Sequence, residues 1–135
     1  MIGGETMKEE RIKAVKVAPG EKPEVVELEN NLDALQKAVS EGAAYQGLIE
    51  VLPNYDVEGT LFILNEEGKL IGLEANRRYY DDVFAGTFYI CGENEDGDFA
   101  SLTDEQVKEA MAQFEEVETF SDFKPESGFA MGFYF

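Results

Sequence analysis

Residues 60–64, Thr-Leu-Phe-Ile-Leu, make an unbroken apolar run that is shorter than an ordinary helix and rich in β-branched and aromatic side chains. Such a run reads as a strand buried in the middle of a sheet. A second segment, Gly86-Thr87-Phe88-Tyr89-Ile90-Cys91, has the same character, so the chain must build a sheet with an apolar interior. At 135 residues and 44% hydrophobic content there is enough material for one domain with a real core, because a chain near this size buries roughly two-thirds of its unfolded surface. The lone cysteine, Cys91, lies within the second run, cannot form an internal disulfide, and reads as core filler rather than as a reactive thiol.

The remaining elements arrange themselves around these two runs. Residues 1–10 are polar and unpatterned and read as a flexible lead, with a single domain over residues 11–135. Ile12–Val17 alternates as a strand, Pro19–Pro23 turns the chain, and Glu24–Leu28 returns, which is a hairpin pattern. Asn30 or Asn31 can then cap a helix carrying Leu32, Leu35, Ala38 and Val39 on one side and closing near Gly42. Tyr45–Leu52 reads as a third strand ahead of the 60–64 run. After a Glu66–Lys69 turn, Leu70–Leu73 reads as a hairpin partner, and Asn76–Asp82 as a polar connection with room for a single helical turn. The expected class is α+β: a single domain with a mixed or antiparallel sheet of five to six strands and two main helices covering a face.

Charge is the outstanding compositional feature, with 29 acids against 11 bases for a net −18. Residues 93–127 hold 12 of those acids and 2 of the bases. Phosphate contact needs a basic surface, so direct nucleic-acid binding and attachment to anionic membranes are both disfavoured. No apolar run approaches the roughly 20 residues of a membrane-spanning helix, and the first residues lack a secretory signal's apolar core, which predicts a cytoplasmic protein.

The acid-rich stretch Cys91–Glu105, CGENEDGDFASLTDE, invites comparison with a calcium loop. Placing Asn94 first puts Asp96, Asp98 and Glu105 at ligand positions, but the sharp-turn position that requires glycine holds Phe99, and a strand replaces the entering helix. The motif fails, and the expectation is that the oxygens of these four residues face solvent. Helix-start chemistry explains the end of the stretch better. Thr103-Asp104-Glu105-Gln106 is a capping box, followed by Val107, Ala110, Met111 and Phe114 at helical spacing.

Catalytic signatures are absent from the sequence. Without histidine there is no His-based triad, metal site or acid/base pair, and neither phosphate-cradling glycine motif is present. One cysteine cannot supply a thiolate zinc site, and no motif requires a cofactor or metal. The chain therefore reads as a non-enzymatic binding protein with a basic protein partner. The acids that carry this reading are Glu95, Asp96, Asp98, Glu105, Glu109, Glu115 and Glu116. A second reading is a small-ligand or regulatory module built on Asn76, Arg77 and Tyr79, where an amide, a guanidinium and a phenol fall together in a chain poor in bases.

Several blocks occur in a familiar order: Ala18–Pro23, Leu32–Gln36, Ile49–Val51, Asn65-Glu66-Glu67-Gly68-Lys69-Leu70, Gly72–Arg77, Ala85–Gly92 and Asp98–Glu105. From about Ile12 to Phe114 the chain resembles a family of small bacterial domains of unknown function carried by phages and conjugative elements. The resemblance implies a compact α+β domain and a home among mobile-element genes, where anti-restriction proteins are frequent company; it assigns no activity and no catalytic residue. The longer lead, Ala43-Ala44, and the aromatic ending Phe129–Phe135 depart from that pattern.

Overall fold

A computed structural model describes residues 9–120. Its main sheet is antiparallel throughout, in the order β2-β1-β7-β4-β3, with the short β8 also paired to β7. The strands are β1 (Arg11–Val17), β2 (Glu24–Glu29), β3 (Ile49–Pro53), β4 (Thr60–Asn65), β7 (Phe88–Glu93) and β8 (Phe99–Ala100). A separate hairpin joins β5 (Ala75–Tyr79) to β6 (Asp82–Ala85), and the helices are α1 (Leu32–Ala38) and α2 (Asp104–Gln113). The expected α+β class and strand number are present. The helices divide the work: α1 lies on one face of the sheet, while α2 and the β5–β6 hairpin lie on the other.

That division explains why the apolar runs are unbroken. Leu61, Ile63, Tyr89 and Cys91 point toward α1 and pack with Leu35 and Val39, while Phe62, Leu64, Phe88 and Ile90 point the other way and pack with Phe84, Ala110 and Phe114. Antiparallel strands usually alternate apolar and polar residues; β4 and β7 do not, because both of their faces are covered. Phe62 lies at the centre of the second layer, with edge-to-face rings of Tyr79, Phe84, Phe88 and Phe114 at 4.8, 5.1, 5.8 and 6.0 Å. Cys91 is fully buried in the other layer, where burial pushes its thiol up to about 12, so the core-filler reading describes its surroundings.

Both helix starts follow from local chemistry. Asn31, rather than Asn30, caps α1 by accepting from the Ala34 N–H at 2.8 Å, while Asn30 is buried and donates to the Glu9 carbonyl. Thr103 and Gln106 form the reciprocal capping box of α2, at 3.1 and 2.9 Å.

Three expectations are corrected. The third strand begins at Ile49, not Tyr45, because the Gln46 side chain donates to Asp33 and Gln36 and the Gly47 N–H to Ser40 Oγ, strapping this segment to α1. Leu70–Leu73 is not a strand: the N–H groups of Ile71, Gly72 and Leu73 are used on the carbonyls of Glu67, Lys69 and Gly68, which leaves nothing for a ladder. The polar segment Asn76–Asp82 is neither a loose connection nor helical. It forms most of the β5–β6 hairpin, with Arg78 opposite Val83 and Tyr79 opposite Asp82.

Candidate functional site

In the acid-rich loop, the Asn94 side-chain oxygen accepts the backbone N–H groups of Asp96 and Asp98, both at 2.9 Å, and Gly97 takes a positive φ of 85° to close the turn. The expectation that the Asn94 oxygen faces solvent is thus corrected, because the tight β7–β8 connection uses it. Glu95 and Asp96 are exposed and Asp98 is half-buried. Among the described residues, no three His, Cys, Asp or Glu side chains are placed to hold one metal ion.

On α2 the buried side is Ala110 and Phe114, with Val107 and Met111 packed alongside, so Glu105 and Glu109 are held outward one turn apart. Glu115 and Glu116 follow, also exposed. Between residues 93 and 118, the ion pairs among the described residues engage Asp104, with Lys13 at 3.7 Å, and Glu118, with Arg78 at 3.7 Å. Most other bases are committed within the fold, as in Arg11–Glu27, Lys16–Glu41, Lys37–Asp33 and Lys69–Asp82. The exposed acids of this face are therefore offset mainly by Lys108, the one base on α2, and their net charge stays strongly negative.

The Asn76-Arg77-Tyr79 cluster is placed very differently from a ligand site. Asn76 and Arg77 are both 0% exposed. Asn76 Nδ2 donates to the carbonyls of Val17 and Gly86 at 2.9 and 2.8 Å. The guanidinium makes five donor contacts: Nε and Nη2 to the Phe114 carbonyl, Nη2 to the Glu21 carbonyl, and Nη1 to the Asn76 carbonyl and Oδ1. Five contacts match the five N–H donors of the side chain, so none is left for a ligand. Burial pushes the Arg77 pKa down and the Glu118 charge opposes it, yet an arginine retains its proton. Arg77 thus ties the C-cap carbonyl of α2 to the β1–β2 turn. Tyr79 packs in the aromatic layer and its hydroxyl accepts the Tyr55 N–H at 2.8 Å, while burial raises its pKa.

Two features escape sequence reasoning. A cavity of about 280 Å³ lies between β3, β4, the turn after β4 and β6, with Leu52, Leu64 and Phe84 among its walls and Glu50, Glu66 and Asp82 at its polar side. Burial, then the charges of Asp82 and Glu66, raise the Glu50 pKa, and Lys69 opposes them. The other feature is a pair of exposed tyrosines, Tyr55 and Tyr80, on the loop after β3 and at the tip of the β5–β6 hairpin. A tyrosine in a two-residue hairpin turn, where glycine is ordinary, is the available signal; it becomes readable only once the register is known.

A family profile described as a domain of unknown function, DUF3846, matches residues 12–115, from the second residue of β1 to just past α2. The chain belongs to the DUF3846 family. The DUF3846 match spans every strand and both helices, so the sheet, its two covering layers and the Arg77 tie all lie within the family unit. The aromatic ending Phe129–Phe135 falls beyond the DUF3846 match and outside the described residues. The chain finds no significant match among curated proteins or solved structures. No helix among the described residues is long and apolar enough to cross a membrane.

Proposed function

We propose that this DUF3846 chain is a non-enzymatic binding protein that engages a basic protein partner through its acidic face. Glu95, Asp96, Asp98, Glu105, Glu109, Glu115 and Glu116 carry the contact. The observation behind this reading is the placement of charge on α2. Glu105 and Glu109 repel one another across one turn, Glu115 and Glu116 follow the negative end of the helix dipole, and the last turn carries no base. Folding gains little from that arrangement, whereas a basic partner would be attracted and steered by it.

The sharper form of the proposal is that these carboxylates imitate the phosphates of DNA and occupy the basic groove of a defence or DNA-processing protein. It carries with it the mobile-element home that the family resemblance implies and a cytoplasmic site of action. The lack of histidine favours binding over catalysis. The test is capture from a host lysate on the tagged protein at low salt. A basic, DNA-binding protein should be enriched and then released both by added salt and by duplex DNA. Enrichment that resists both, or no enrichment of a basic protein, contradicts the reading.

A further inference from the structure

Tyr80 is the one non-glycine residue with a positive φ, 58°, among the described residues. It occupies the first position of the two-residue loop between Tyr79 and Asp82, where a turn with that backbone ordinarily takes glycine. A bulky residue in this conformation is strained, and strain that persists at a surface position invites a functional explanation. The side chain is fixed rather than waving: its hydroxyl donates to Asp56 Oδ1 at 2.7 Å, and its ring meets the Tyr79 ring edge-on at 4.7 Å.

The opposite loop is fixed as well. The Asp56 N–H donates to Asn54 Oδ1 at 3.1 Å, Asn54 exchanges side-chain hydrogen bonds with Gln113 at the end of α2, and Tyr55 is tied through its N–H to Tyr79. Despite these ties, Tyr55 and Tyr80 remain 75% and 67% exposed. The result is an aromatic ledge on two tied loops, with the Tyr80 ring itself held, and exposed tyrosines are side chains that interfaces favour as anchors.

The charge around the ledge selects the occupant. Asp56, Glu58 and Asp81 lie in the two loops with Asp82 at the start of β6, and the nearby bases Lys69 and Arg78 are engaged with Asp82 and Glu118. Phosphate-bearing ligands are repelled there. A guanidinium suits both parts of the ledge, because its plane stacks on aromatic faces and its N–H fork matches a carboxylate. We infer that Tyr55, Tyr80 and Asp56 form the docking point for an arginine side chain of the partner. The inference rests on the basic-partner reading but places an anchor away from the α2 acids.

The test uses the whole protein with an arginine homopeptide and a lysine homopeptide of equal length, titrated at low salt while tyrosine-ring and backbone amide resonances are followed by NMR. The expected result is several-fold tighter binding of the arginine peptide, with the largest shifts at Tyr55 and Tyr80. That preference should disappear in Tyr55→Ser with Tyr80→Gly, leaving lysine-peptide affinity unchanged. Equal affinities, or an arginine preference that survives the double substitution, overturn the inference. Should the double variant fold poorly, the wild-type shift map decides alone: shifts confined to residues 93–98 and α2 overturn the ledge and leave the basic-partner reading standing. No binding of either peptide overturns both.

Discussion

The two helices cover opposite faces of one sheet, begin with equally orthodox caps, and treat charge in opposite ways. On α1, Asp33 lies in the first turn and Lys37 in the last, 3.2 Å apart, so both the dipole and the i,i+4 pairing are satisfied at the surface. On α2 the first turn is acidic, the last turn has no base, and two further acids follow. Its terminal carbonyl, Phe114 O, is instead met from inside by Arg77, 37 positions away in sequence. The cation that a helix end favours has been moved into the core. This leaves the outer surface of α2 acidic at both ends, with Lys108 its one base, and the proposed basic partner would account for such a surface where the fold gains little from it.

The comparison breaks most sharply at Arg77. Arg77→Met leaves the Phe114 and Glu21 carbonyls buried without their donors, which should cost about 3 kcal/mol or more, and lower the melting temperature by more than about 10 °C. A loss below about 1 kcal/mol would show that α2 does not depend on the internal cation. Next in size, Thr103→Ala and Asn31→Ala should each cost about 1 kcal/mol in denaturant unfolding, since the two caps make equivalent bonds. Unequal costs would mean the helices differ at their starts as well.

Smaller effects sharpen the contrast in surface charge. Glu109→Lys creates a favourable pair with Glu105 and brings a cation nearer the C-terminal end of α2, a stabilisation of about 0.5 kcal/mol. Lys37→Gln removes the matching pair from α1 and should destabilise by about 0.3 kcal/mol. Opposite signs in thermal melts support the account. Smallest is the pH effect at Asp33, whose pKa is lowered first by the Gln46 hydrogen bond and then by the bond and charge of Lys37. A depressed carboxylate stabilises the fold above its unfolded pKa, and that contribution disappears as pH falls through the folded value. Melting curves should therefore show wild type losing its advantage over Asp33→Asn as the pH drops below 4.

Most of what is local in this fold is legible in the sequence. The β1–β2 hairpin, the strands of the two apolar runs and the Thr103 capping box each depend on neighbours within a few positions, and the acidic face needs only composition and helical spacing. The β5–β6 hairpin is illegible for a physical reason: Asn76 and Arg77 look like surface residues, and only carbonyls far away in sequence, such as Val17 O at 59 positions, make their burial tolerable. Leu70 misleads in the opposite sense, an apolar residue left 86% exposed on a turn. The Tyr55–Tyr80 ledge likewise exists only after the two loops are brought together.

The central claim is that the outer charge of α2 serves a partner and is dispensable to the fold. Glu109→Gln, Glu115→Gln and Glu116→Gln combined in one chain test it most directly when melting temperature and retention on a basic DNA-binding partner are measured on the same preparation. The account predicts a melting temperature that is unchanged or about 1–3 °C higher, because repulsion and an unfavourable dipole interaction are relieved, together with a clear loss of retention. A lower melting temperature with retention intact would contradict it.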